Sequence, residues 1–276
     1  MIGFRGSRRP RRRQALRALI ALLVAAPAVL LAGCATISPR GMTIDVFTAP
    51  PWRAGERLEY RLRTAGGDEV GRGVLSTVQE GDRVVLQQSY MEAKTPEGAT
   101  PARDNVAVTV DPKTLRPVQG TRETVNRDAS GVARSVRTAW TYRVDGERTR
   151  LSTHVEREGA APEDASLDVS AHAYDNESSL WLWRAIAFAK QEERSGEDVQ
   201  VAGTYVSVNP FERTEQVVIL RVPQREQITV PAGTFDTWRI LVRTGRAVRT
   251  AWISSAAPFP VVRWDNGDVI FELTSA

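Results

Sequence analysis

Val136-Arg137-Thr138-Ala139-Trp140-Thr141-Tyr142-Arg143-Val144-Asp145 decides the fold. Val136, Thr138, Trp140, Tyr142 and Val144 alternate with Arg137, Ala139, Thr141, Arg143 and Asp145. A period of two with one largely polar side marks a half-buried antiparallel strand. Asp145-Gly146 then gives a hairpin turn into a second strand over 147–157. Outward from this pair the same pattern recurs. Leu58, Tyr60 and Leu62 alternate with Glu59, Arg61 and Arg63. Trp238, Ile240 and Val242 alternate with Arg239, Leu241 and Arg243, and Val269, Phe271 and Leu273 with Ile270, Glu272 and Thr274.

Turn signals at Gly66-Gly67, Gly81-Asp82 and Asn266-Gly267 separate these runs. Further strands are expected over 70–79, 83–93, 104–111, 116–126, 199–208, 213–222, 225–230, 247–254 and 259–264. So many strands joined by short turns predict a mainly β chain with one large curled antiparallel sheet, an open barrel or β-roll.

One segment breaks the period. Tyr174-Asp175-Asn176-Glu177-Ser178-Ser179 leads into Leu180-Trp181-Leu182-Trp183-Arg184-Ala185-Ile186-Ala187-Phe188-Ala189-Lys190. Asp175 or Asn176 can cap a helix, Glu177 favours a first turn, and the alanines suit a helix better than a strand. A helix near 177–191 that is apolar nearly all round must be buried on most faces. It is expected against the concave side of the sheet.

The N-terminus reads as targeting. Residues 1–33 hold Arg5, Arg8, Arg9, Arg11, Arg12, Arg13 and Arg17 and no acidic residue, followed by an apolar run from Ala18 to Leu31. The run is too short for a spanning helix and contains Pro27, as in a secretory signal. Leu31-Ala32-Gly33-Cys34 resembles the bacterial lipobox, which implies cleavage before Cys34 and a diacylglycerol on its thiol. Several acyl chains give stable anchoring. Cys34 is the only cysteine, so an internal disulfide is closed to it. Ser7-Arg8-Arg9-Pro10-Arg11 weakly resembles a twin-arginine signal, and the export route stays open. Domain boundaries follow: a signal peptide over 1–33, a lipidated tether over 34–52 and one β-rich domain over 53–276. Ala35, rather than aspartate, follows the cysteine, which points to the outer membrane where two membranes are present.

The whole chain has 37 basic and 33 acidic residues and a pI near 9.6, a balance that would fit a nucleic-acid partner. Seven of those arginines leave with the signal, so 30 basic residues face 33 acidic ones and the mature chain is formally −3. The case for nucleic acid goes with them.

The C-terminal third carries Val230-Pro231-Ala232-Gly233-Thr234-Phe235, Thr250-Ala251-Trp252-Ile253-Ser254 and Pro258-Phe259-Pro260. Earlier come Gly55-Glu56-Arg57-Leu58-Glu59-Tyr60, Asp111-Pro112-Lys113-Thr114-Leu115-Arg116-Pro117 and Tyr174-Asp175-Asn176. This ordered set resembles a family of exported bacterial domains of unknown function with a V-P-A-G-T-F signature, over about residues 52–275. The resemblance implies an envelope protein with an open, strongly curved sheet. At fold level that shape is similar to periplasmic lipoprotein carriers, whose sheets enclose an apolar cavity.

No catalytic motif is found. The two histidines are His154, on a solvent-facing phase, and His172, and neither has partners at metal-ligand spacing. Glu163-Asp164 and Glu192-Glu193 read as solvated loop or helix-end charges. Trp181 and Trp183 fall on different sides of the helix, while Trp140, Trp238 and Trp252 are assigned to inward strand phases. These five tryptophans line either a solid core or an apolar ligand cavity. The leading expectation is a monomeric, non-enzymatic envelope lipoprotein without metal or cofactor, binding an apolar ligand such as lipid or an envelope protein. A structural component with a solid core, and a hydrolase with an unrecognised site, are the alternatives.

Overall fold

The alternating segments pair in sequence order. The computed structural model describes residues 46–48, 50–127, 131–188 and 201–276, which fall within one unit, Met42–Ala276. The strands are β1 (Arg57–Arg63), β2 (Glu69–Glu80), β3 (Arg83–Glu92), β4 (Arg103–Val110), β5 (Pro117–Arg127), β6 (Ala133–Asp145), β7 (Arg148–Arg157) and β8 (Glu163–Ser170). They continue as β9 (Tyr174–Asp175), β10 (Val201–Asn209), β11 (Thr214–Val230), β12 (Gly233–Thr244), β13 (Ala247–Ser254), β14 (Val261–Asp265) and β15 (Ile270–Ser275).

All belong to a single sheet, ordered β8-β7-β6-β5-β4-β3-β2-β1-β15-β14-β13-β12-β11-β10-β9. Every pairing is antiparallel except β9 with β10. The expected large curled antiparallel sheet is the one observed. The first and last strands are neighbours, so both halves of the chain meander away from the β1–β15 seam. The two edges approach each other: Arg213, in the β10–β11 turn, pairs with Glu163 of β8, and Ser170 N–H donates to Glu215 at 3.2 Å. Side chains thus bridge the gap that the backbone ladder leaves open. β8 also carries Asp164, paired with His154, and Asp168, paired with Arg150. Such charges blunt an edge strand. Glu163-Asp164 was expected in a loop and lies in this strand instead.

The V-P-A-G-T-F stretch forms the β11–β12 hairpin, Val230 paired with Gly233 across Pro231-Ala232. Ala232 N–H donates to Leu273 O at 3.0 Å, tying the turn to β15. In the Asp111-Pro112 turn, Asp111 Oδ1 accepts from the N–H groups of Lys113 and Thr114. The expected strands 213–222 and 225–230 are one strand, β11, whose register shifts between Arg221 and Gln224. Pro223 lacks an N–H and interrupts the ladder there.

The helical segment is shorter than the expected 177–191. A 3-10 turn over Asn176–Ser178 leads into α1 (Ser179–Leu182) and a second 3-10 turn over Trp183–Ala185. Ile186 is extended and bridges Phe47, Thr48 N–H donates to Ala185 O, and Ala187 N–H to Val46 O. Strand-like pairing with the preceding tether takes the backbone groups that a longer helix would have used. Val46 and Trp52 are buried, so the end of the tether belongs to the core and the folded domain starts before residue 53. Cys34, the segment expected to be a signal and the rest of the helix expectation beyond Phe188 lie outside the described residues. No helix among the described residues is long and apolar enough to cross a membrane.

The segment packs on the inner face of the sheet and joins two apolar clusters. Trp181, Leu182 and Ala185 pack with Trp140 and the inward residues of β1–β4; Trp183 and Ile186 pack with Trp238, Trp264 and the inward residues of β10–β14. Gly120 of β5 is required under Trp140, because an added Cβ would lie 2.2 Å from the indole. Gly120→Ala is expected to destabilise by about 1–3 kcal/mol through overpacking, read as a lower urea midpoint with an unchanged slope. A midpoint equal to wild type would refute this packing.

Candidate functional site

Asp175 organises the start of the helical segment. Its Oδ1 accepts from Glu177 N–H at 2.8 Å, as an N-cap should. Its Oδ2 accepts from Trp140 Nε1 at 2.7 Å and Tyr142 Oη at 2.9 Å. The carboxyl is fully buried. Burial, followed by the nearby charge of Glu177, pushes its pKa up from 3.8 to about 7, against the pull of these donors.

This has a sign. A carboxyl that holds its proton more tightly in the folded chain favours folding fully below its ordinary value, and that contribution is lost as pH rises through about 7. Glu177, raised by burial, and His154, raised by its bonds to Asp164 and Glu156, act in the same direction. Glu92, Glu163, Asp111 and Glu272 are lowered and titrate below this window. The protein is therefore expected to melt at a higher temperature at pH 5 than at pH 8. Asp175→Asn should flatten that dependence even if it lowers the curve by losing one donor–acceptor match. Parallel wild-type and variant profiles would refute the assignment.

Beside Asp175, a cleft of about 280 Å3 runs between the helical segment and the sheet. It opens at the end carrying the β12–β13 and β14–β15 turns, where Thr244, Arg249, Asn266 and Asp268 form its rim. One wall is aromatic. Trp183 packs on Trp264 with ring centroids 4.7 Å apart and donates from Nε1 to Tyr205 Oη at 3.1 Å, while Tyr90 meets Phe271 edge-on at 5.5 Å. The other wall is polar. Arg122 grips Asp104 with two hydrogen bonds, 2.8 and 2.6 Å, and lies over the Phe211 ring at 4.5 Å. Gln88 donates to the backbone carbonyl of Glu177 and accepts from Tyr90 Oη at 2.6 Å. A larger depression, about 500 Å3, lies on the outer face of β2–β5 among Ser76, Gln87, Ser89, Asn105 and Thr121. Gln87, Ser89 and Thr121 are exposed and Ser76 and Asn105 half-buried, whereas the cleft is lined by the buried Trp183, Tyr205 and Trp264.

The five tryptophans do not converge. Trp183 lines the cleft. Trp140 is fully buried against Asp175 and Phe211, and Trp181 against Trp52. Trp238 stacks on Phe188 at 5.6 Å with Arg225 over its face. Trp252 is corrected. Its neighbours Ala251 and Ile253 fill the core, so Trp252 is outward and half-buried, with Glu226 on its Nε1 and Arg263 over its ring. His154 is exposed, as expected, and no group of three or more His, Cys, Asp or Glu among the described residues could hold a metal ion.

The sequence reading missed Gln88, Asp104 and Arg122. A signal was present: Gln88 shares its phase with Leu86 and Tyr90, and Asp104 with Val106, Val108 and Val110. Polar side chains on a core-facing phase mark either an internal network or a site. The reading also missed Glu56 as partner of the buried Arg184, 2.7 Å away.

Comparison with known proteins places these observations in a family. Residues 59–274 match the family described as "Protein of unknown function (DUF3108)". No curated protein matches the chain. The crystal structure of a beta-barrel-like protein of domain of unknown function DUF1849 from Brucella abortus is similar at 10% sequence identity, with a TM-score of 0.49. That similarity covers 80% of this chain and 95% of the other.

Proposed function

We propose, for a chain that belongs to the DUF3108 family of proteins of unknown function, that it is an exported, lipid-anchored binding domain without catalytic activity. It holds one small amphiphile in the cleft beside the helical segment. The observation that carries the reading is the pairing of an aromatic wall, Trp183, Trp264, Tyr205 and Phe271, with a polar wall, Gln88, Asp104, Arg122 and Glu177, across one opening. Apolar lining with a few convergent polar groups is the usual form of a small-molecule site.

The anchor rests on Leu31-Ala32-Gly33-Cys34 and on the arginine-rich segment before it. Cells fed labelled palmitate are expected to label the wild-type chain and not Cys34→Ser, since a hydroxyl cannot form the thioether. Label on the variant would sink the anchor.

The dense packing of Trp140 and Trp181 favours a second reading, a scaffold whose interior only supports its shape. Mass spectrometry of the full chain extracted from its own membranes separates the two. The binding reading expects a bound small amphiphile in stoichiometric amount. A chain free of any such molecule, and unable to take one up, leaves the scaffold.

A further inference from the structure

The charges of the cleft do not cancel. Arg122 is held by both oxygens of Asp104 and its charge also attracts Glu177, so one inner cation faces two carboxylates and one negative charge is left over. Arg249 and Asp268 stand at the solvent rim, opposite in sign and screened by water. Glu177 remains. Among the described residues no basic side chain pairs with it within 4 Å, and the hydrogen bond recorded for its carboxylate is a long one, 3.4 Å from Asn176 Nδ2. Its charge reaches Tyr90, whose hydroxyl pKa is raised first by burial and next by Glu177. Tyr90 in turn holds Phe271 edge-on at 5.5 Å.

A cleft with one carboxylate more than its inner cation, flanked by aromatic rings, is complementary to a cation with an apolar body. Ring faces attract cations, best when water is excluded, and the carboxylate supplies the opposite charge. An anionic head is disfavoured on the same grounds. The fork of Arg122 is occupied by Asp104, and Glu177 would repel the newcomer.

We propose that the ligand of this cleft carries an ammonium head, seated against the carboxylate of Glu177 and the rings of Tyr90 and Phe271, with its alkyl part along Leu180, Trp183 and Trp264. This rests on the cleft being a ligand site, and the test separates the two claims.

The full chain is placed in detergent-free membrane discs, and empty discs serve as the control for partition into lipid. Hexyltrimethylammonium, hexanol and hexanoate are titrated by calorimetry. The expected order is ammonium, then hexanol, then hexanoate, with roughly tenfold between the first two, the scale of one good cation–π and carboxylate contact. Glu177→Gln should lose that tenfold for the ammonium and leave hexanol unchanged. Glu177→Asp, which keeps the charge, should retain a preference for the cation. Melting temperatures of both variants confirm that they fold. Hexanoate binding as tightly as the ammonium, or a Glu177→Gln variant with wild-type affinity for it, overturns the ammonium head while hexanol binding keeps the cleft. Binding of none of the three overturns both.

Discussion

Glu56→Ala is expected to lower stability by about 3–5 kcal/mol, the cost of leaving a buried charge without its partner. Arg184 is fully buried, and its Nη2 donates to both oxygens of Glu56 at 2.7 and 3.0 Å. It also donates to the carbonyl oxygens of Phe259 at 3.1 Å and Pro258 at 2.9 Å, and lies 5.1 Å from the Trp181 ring. The Nη1 group has no hydrogen-bond partner. An ion pair this dry, with one donor unsatisfied, contributes little net stability and instead fixes position. It pins the helical segment to the strand-entry segment before β1 and to the loop before β14. The double variant Glu56→Leu, Arg184→Leu should therefore recover most of the loss, because it removes both charges together. Denaturant midpoints of the three chains check this. A single variant within about 1 kcal/mol of wild type would contradict the assignment.

The second large effect separates Trp181 from Trp183. Trp181 is fully buried and meets Trp52 edge-on at 5.6 Å, so Trp181→Ala creates a closed void and is expected to cost about 3–5 kcal/mol. Trp183 borders the cleft, where space already exists next to its ring. Trp183→Ala enlarges that opening, so its stability cost is expected to be smaller by at least about 1 kcal/mol. Uptake of an apolar probe should change more in Trp183→Ala than in Trp181→Ala. Equal losses of stability with unchanged probe binding would favour the scaffold reading.

The sheet was legible because its signals are local. β6 announces itself by alternation, and the turns at Gly81, Gly146 and Gly267 place residues at positive φ where glycine is at ease. β8 was not legible. Its Glu163-Asp164-Ala165-Ser166 start pairs with β7 without a buried position, and only Leu167 and Val169 add large apolar side chains to the inward phase. Trp252 shows how narrow the inward assignment is. Trp238 pairs with Ile253, and Trp252 faces Arg239, so a single residue of register moves an indole from the core to the outer face. The helix length failed for a long-range reason: the backbone of 185–187 is taken by Val46–Thr48. The Glu56–Arg184 pair spans 128 positions in sequence, beyond any local pattern.

The central claim is that the cleft is a binding site. It is tested most directly by saturable binding of an environment-sensitive apolar dye to the full chain, wild type beside Leu180→Trp. Leu180 lies on the cleft wall, half-buried, and the larger side chain fills the space. The account expects one dye per wild-type chain, displaced by a short-chain amphiphile, and no saturable binding to Leu180→Trp at unchanged circular dichroism. Wild type without saturable binding, or a Leu180→Trp chain that binds as wild type does, would contradict it.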